Sequence, residues 1–294
     1  MLIKNGNYLL HIVQFPRMRS AQRYCDEKEL KPKYPELLDV LFTQYCDYGC
    51  DFCYLGCTPD GAHADLDFAE KALESVPDWV EINCAGGNII RHPQWKEIPK
   101  RFARFKSLNT TVNPKVFDEV NYTEFEGFTA VGVSINDDAV FAHYEHPIQA
   151  LRNYCYVAIQ IIPEMIGVEE TEKILRRCKQ WKLPVLFLGY KFVGRGKGGK
   201  VRPFEDKELK ALIKNVKEQE LTLSVDTSFV KNYKARLGQL LTEDLENIQE
   251  GKFSFYVDLV HQYCAQSSWS MGKKFELSDM ETMFNNIRSI PCEY

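Results

Sequence analysis

Four of the ten cysteines in this 294-residue chain fall within twelve residues, as Cys46-Asp-Tyr-Gly-Cys50-Asp-Phe-Cys53-Tyr followed by Cys57. Three thiolates spaced by three residues and then two can wrap one corner of an iron-sulfur cubane from a single loop. A 4Fe-4S cluster held that way keeps one iron without a protein ligand, open to chelate a small molecule through an amine and a carboxylate. Gly49 supplies the backbone freedom such a loop needs, and Phe52 and Tyr54 can screen the metal from water. Cys57 keeps a second chemistry open, because four thiolates can close a tetrahedral zinc site. Zinc sites usually pair two short knuckles across a longer loop, whereas this segment has one two-residue gap, so Cys57 reads as a neighbouring free thiol. The remaining cysteines are scattered singly and read as small buried hydrophobes. Cys178 is the clearest, on one helical stripe with Ile174, Leu175 and Trp181. The N-terminus lacks a basic head followed by an apolar stretch, so an exported disulfide framework is not expected.

Cys46, Cys50 and Cys53, with the aromatic Phe52 just before the third, resemble the signature of the radical S-adenosylmethionine (SAM) superfamily. The resemblance implies a 4Fe-4S cluster on those three cysteines and SAM on the open iron. One electron from the cluster then cleaves SAM to methionine and a 5'-deoxyadenosyl radical, which takes hydrogen from a substrate. It also implies a reducing partner such as a flavodoxin or ferredoxin. Further along, Gly86-Gly87-Asn88 is similar to the family's Gly-Gly-Glu-Pro motif, where backbone and acid hold the amino group of SAM. Asn88 stands in place of the acid and Ile89 in place of the proline. This form, followed by His92-Pro93, resembles a sub-branch of small bacterial and phage members. Asn88 can accept a hydrogen bond from an ammonium but brings no charge.

The family's pattern carries over to three further places. Ser134 and Asn136 match polar positions near the SAM ribose and carboxylate, although short polar residues at strand ends are common. Gln160 interrupts the apolar run VAIQII, which asks for either a ligand or a buried structural partner. The loop from Lys191 to Arg202 has five basic residues, four glycines and no acid. It is similar to a Tyr-Lys-x-x-Gly-Arg-Gly loop and can hold a carboxylate or phosphate, with Arg195 foremost, or can simply be a solvated surface loop. Asp226-Thr227-Ser228 and the stretch from Phe253 to Trp269 resemble the region where larger relatives bind an auxiliary cluster. With only Cys264 and Cys292 there, no second cluster is expected.

These residues need elements to position them. Apolar runs of strand length alternate with amphipathic stretches: Leu37 to Thr43, Trp79 to Cys84, Leu108 to Val112, Phe128 to Ile135, Tyr156 to Ile162 and Val185 to Tyr190. The alternation predicts an α/β fold with a parallel sheet and crossover helices. A complete eightfold barrel needs about 250 residues, so an incomplete (β/α)6 TIM-like barrel is expected, with a doubly wound open sheet as the rival. In either fold, ligands gather at the carboxyl ends of the strands, where every motif above falls. Residues 1–36 read as an N-terminal surface arm and residues 37–218 as the radical SAM core. Residues 219–294 read as a C-terminal α+β extension packed on the barrel.

Composition narrows the function. With 45% hydrophobic and 27% charged residues the chain is ordinary globular material. A formal charge of −4 disfavours bulk nucleic-acid binding. No apolar run approaches the roughly 18 residues of a membrane span, and a cytoplasmic location is expected. The function expected is a radical SAM enzyme acting on an unidentified substrate. A peptide comes first, and a nucleotide or nucleobase is the alternative through the basic loop. A protein that binds cluster and SAM without turnover, and a zinc-stabilised binding module, are the readings from other classes.

Overall fold

The structure is a computed structural model and describes residues 1–15, 18–240 and 249–292. Three strands open the chain: β1 (Leu2–Asn5), β2 (Tyr8–Phe15) and β3 (Met18–Tyr24), an antiparallel sheet in the order β1-β2-β3. The expected surface arm therefore contains a small sheet. Its alternation buries Tyr8, Leu10 and Ile12 against Leu30 and Phe253. Arg23 makes two bonds to Glu36, at 2.8 and 3.0 Å, and lies 3.7 Å over the Phe253 ring. This ties the sheet to the body of the protein.

The six strands expected from the sequence follow as β4 (Leu37–Thr43), β5 (Glu81–Gly86), β6 (Leu108–Val112), β7 (Ala130–Ser134), β8 (Tyr156–Ile161) and β9 (Val185–Phe187). They lie side by side in sequence order and pair in parallel throughout. The helices are α1 (Leu66–Leu73), a single turn α2 (Ile98–Arg101), α3 (Asp138–Leu151), α4 (Pro163–Trp181) and α5 (Asp206–Glu218). Between β5 and β6 the chain forms a 3-10 turn (Trp95–Glu97) and then α2, and two 3-10 turns join β6 to β7. Helix ends follow local chemistry. Asp65 caps α1 by accepting from the Phe68 amide, and Glu205 and Glu208 form a capping box on α5. Leu209, Leu212, Ile213 and Val216 are the buried stripe of α5, and Ile174, Leu175 and Cys178 that of α4. Cys178 is the core residue its spacing indicated.

The C-terminal extension adds to both sides of this sheet. β10 (Leu223–Val225) pairs in parallel with β9, and α6 (Thr227–Leu240) follows it. On the opposite edge, β11 (Ser254–Asp258) pairs in parallel with β4, then β12 (Tyr263–Ala265) and β13 (Phe275–Glu276) continue antiparallel before α7 (Met280–Arg288). The result is a ten-stranded sheet with β10 and β13 at its edges, an α/β fold with the open, incomplete TIM-like arrangement the length implied. Among the described residues, no helix is long and apolar enough to cross a membrane.

The two faces of the sheet differ. Leu38, Val40 and Phe42 on β4, Ile82 and Cys84 on β5, and Val157, Ile159 and Ile161 on β8 are buried in the main core. Residues between them lie on the other face: Asp39, Asn83, Thr111 and Gln160 are partly buried there, while Leu41 is fully buried in a separate small apolar cluster with Tyr256 and Ala265. That second face lines the inside of the open barrel.

Candidate active site at the carboxyl ends of the strands

Because β4 to β11 run parallel, their carboxyl ends share one end of the barrel. The cysteine loop leaves β4 there. Its backbone is fixed by Gln44 N to Ala62 O at 2.8 Å, Cys46 N to Thr58 O at 2.9 Å and Cys53 N to Cys50 O at 3.1 Å. Gly49 sits at φ +63°, the left-handed conformation the sequence reading asked of it. Cys46, Cys50 and Cys53 are half-buried and outside any disulfide, and Cys57 is buried. Burial pushes the Cys46 and Cys50 thiols up, with added repulsion from the neighbouring sulfurs. Cys53 goes the other way, to about 5, because the Cys57 thiol donates a hydrogen bond to it, and burial only partly opposes this. Cys57 is correspondingly raised by its bond to Cys53 and by burial. The fourth cysteine thus supports the thiolate of the third.

The Gly86-Gly87-Asn88 turn packs directly on this loop. Gly87 N donates to Thr43 O and Asn88 N to Tyr45 O, both at 2.8 Å. A Cβ on Gly87 would overlap the Tyr45 carbonyl and stand 3.1 Å from the Cys46 Cβ. The glycines therefore serve close approach to the cysteine loop itself. The Asn88 side chain is buried, and its Nδ2 donates to Asp47 Oδ1 at 3.0 Å. Asp47 Oδ2 accepts from Arg91 Nε at 2.7 Å, and Arg91 reaches on to Glu119 at 2.7 Å.

Arg195 lies in a 3-10 turn after β9 and clamps the same loop from the other side. Its amide donates to Cys53 O at 3.0 Å, its Nε to Cys50 O at 2.9 Å and its Nη1 to Cys57 O at 2.7 Å. A side chain on Gly194 would overlap the Tyr54 carbonyl, and one on Gly196 would press on the Lys191 carbonyl and on Phe52 O. The basic loop and the cysteine loop are thus one packed unit, with the Phe52 carbonyl beside Gly196 and the residue itself partly buried. Arg195 Nη2 is buried without a hydrogen-bond partner among the described residues.

Ser134 and Gln160 are neighbours in register across β7 and β8. Gln160 Nε2 donates to Thr111 Oγ1 at 3.1 Å and its side chain fills the space over Gly132. Asn136 accepts from the Ile162 amide at 3.1 Å and so joins the ends of the two strands.

Lys191 and Asp226, named from the sequence, belong to a charged group inside the barrel with Asp39 and Glu250, which the sequence does not single out. Asp39 accepts from Asn83 at 2.7 Å, and burial pushes its carboxyl up. Lys191 lies 3.6 Å from Asp226 and 4.4 Å over the Tyr54 ring. Burial pulls the Lys191 ammonium down, but Tyr54, Asp226, Glu250 and Asp39 together outweigh it and raise it. Burial moves Glu250 up to about 7, partly offset by its bond from Thr227, while Asp39 raises it further and Lys191 lowers it. The signal was present in the strands: Asp39, Asn83, Asn109, Thr111 and Gln160 are polar positions recurring with period two in otherwise apolar runs.

Among the described residues, no three His, Cys, Asp or Glu side chains converge on a single point. A cubane asks for no such convergence, since each thiolate binds its own iron and the sulfurs need not meet at a point. Three half-buried thiols on one loop, close enough to feel each other's charge, fit that demand. So does the unpartnered Arg195 N–H beside them, which suits an anionic sulfide or carboxylate.

No family model matches the chain, and no curated protein matches its sequence. Three solved structures of SuiB from Streptococcus suis are similar to it. With precursor peptide SuiA bound, SuiB superposes at a TM-score of 0.68 and 13% identity, over 90% of this chain and 69% of SuiB. With S-adenosylmethionine bound the values are 0.65 and 12%, over 88% and 69%, and for SuiB alone 0.63 and 13%, over 90% and 70%. At such identities the likeness is one of fold, and the chain shares the α/β architecture of SuiB over nine-tenths of its length.

Proposed function

We propose that this protein is a radical SAM enzyme whose Cys46, Cys50 and Cys53 hold a 4Fe-4S cluster, with a peptide as substrate. The observation that carries the reading is the packing of these three thiols at the barrel mouth, braced on one side by Gly87 and on the other by Arg195. The chemistry such a cluster supplies when bound is one-electron cleavage of SAM and, from it, hydrogen abstraction. The chain's own residues hold and shield. Phe52 and Tyr54 flank the third cysteine and limit water. Ser134 and Gln160 present polar groups from β7 and β8, and Arg195 fixes the carbonyls of the cysteine loop. A flavodoxin or ferredoxin would deliver the electron.

The fold shared with SuiB, which has been solved with SAM and with a precursor peptide, supports both the cofactor and the peptide. A sheet that ends at β10 and β13 rather than closing on itself, among the described residues, is compatible with lateral entry of a long substrate. The basic loop is a weaker argument for a nucleotide, because Lys191 is engaged by Asp226, Arg195 by loop carbonyls and Arg202 by Glu208. The test is direct. Protein reconstituted with iron and sulfide without air, then given dithionite and SAM, should release 5'-deoxyadenosine. Iron-loaded protein that leaves SAM intact would overturn the reading.

A further inference from the structure

We propose that Asn88 is a positioning residue whose amide is dictated by Asp47, so that the acid usual at this point of the motif would disable this chain. The proposal rests on the radical SAM reading above and concerns how that site is assembled. Asn88 is buried, with 3% of its surface exposed, and its Nδ2 donates to Asp47 Oδ1 at 3.0 Å. Asp47 immediately follows the first cysteine of the loop, and its other oxygen is held by Arg91. The same turn donates the Asn88 amide to the Tyr45 carbonyl, one residue before that cysteine. Asn88 therefore grips the chain on both sides of Cys46, with its backbone on Tyr45 and its side chain on Asp47.

Only a donor works opposite a carboxylate. A carboxylate at 88 would place two acceptors of like charge at hydrogen-bond distance, in a turn whose backbone is pinned to the cysteine loop by the bonds of Gly87 N to Thr43 O and Asn88 N to Tyr45 O. The negative charge of this corner has been placed at 47, on the cysteine loop, with Arg91 and Glu119 continuing the chain of pairs outward. Residue 88 acts on the cysteine loop through Tyr45 and Asp47, and its role is one of positioning.

A charge-swap cycle tests this. Asn88→Asp, Asp47→Asn and the double variant are compared with the native protein by thermal midpoint as purified, and by SAM affinity and the change in electron-paramagnetic spectrum on adding SAM after iron loading. Asn88→Asp is expected to lower the midpoint by several degrees and weaken SAM binding about tenfold. The double variant, which restores one amide facing one carboxylate, is expected to recover most of both. An Asn88→Asp protein equal to or better than native would overturn the proposal, as would a double variant no better than the worse single one. If no variant, nor the native protein, takes up iron, the functional reading fails while the thermal cycle still decides the pairing.

Discussion

The outer and inner faces of one sheet follow opposite rules. On the helix-facing side, β4 presents Leu38, Val40 and Phe42, all without solvent exposure, and Phe42 meets Phe102 edge-on at 5.3 Å. On the inner side the same strand presents Asp39, which is bonded to Asn83 and faces Lys191 and Glu250. A complete barrel fills its interior with layers of branched apolar side chains. This open one places Asp39, Asn83, Thr111 and Gln160 on its inner face beside the small apolar cluster of Leu41, Tyr256 and Ala265, so the outer face carries the main core and the inner face most of the partly buried polar groups.

That contrast can be broken from either side. Phe42→Ala removes a fully buried ring from the outer face and should cost about 3–5 kcal/mol of unfolding free energy, read from denaturant melts. A loss under about 1 kcal/mol would mean the outer face is not the core it is taken to be.

Glu250 gives the inner face a pH signature. Its folded value of about 7 lies above that of an exposed glutamate, so the folded state holds the proton more tightly and stability falls as pH rises between about 4.5 and 7. The loss should approach about 3 kcal/mol and level off above pH 7, with Lys191, Asp39 and Asp226 as the charges facing the group. Glu250→Gln should flatten that slope, and an unchanged slope would place its origin elsewhere.

Arg195 lies between the two regimes. Arg195→Ala removes two charge-assisted bonds to Cys50 O and Cys57 O and should cost about 2–3 kcal/mol, with faster loss of iron from loaded protein. Arg195→Lys, which cannot span both carbonyls, should recover less than half. The smallest effect is expected on the inner face. Gln160→Ala gives up one bond to Thr111 and should change stability by about 1 kcal/mol while lowering turnover far more. A stability loss as large as that of Phe42→Ala would erase the distinction between the faces.

The six core strands were legible because their apolar runs are bounded by turns, and β4 and β6 end where the pattern ends. The stripe of α4 was legible from the helical spacing of Ile174, Leu175 and Cys178. The N-terminal sheet was not: residues 1–36 are rich in charge, and the buried alternation of Tyr8, Leu10 and Ile12 acquires meaning only against Phe253, far along the chain. Nor did the pattern show that the last 76 residues extend the sheet on both edges, since short strands such as Leu223–Val225 take their partners from tertiary context. At the site, the spacing of the three cysteines, the glycine pair and Arg195 could be read directly. Their mutual contacts could not, because Asn88 with Asp47 and Arg195 with Cys50 join residues 41 and 145 positions apart.

On the proposed function, Cys46, Cys50 and Cys53 hold the iron-sulfur cluster and no other thiol does. Iron and acid-labile sulfide counted per chain after reconstitution without air are the decisive quantities. About four of each are expected in the native protein and in Cys57→Ala, with a collapse on changing Cys46, Cys50 or Cys53 to alanine. Native protein that takes up no iron, or a Cys53→Ala protein that keeps its full complement, would contradict the assignment.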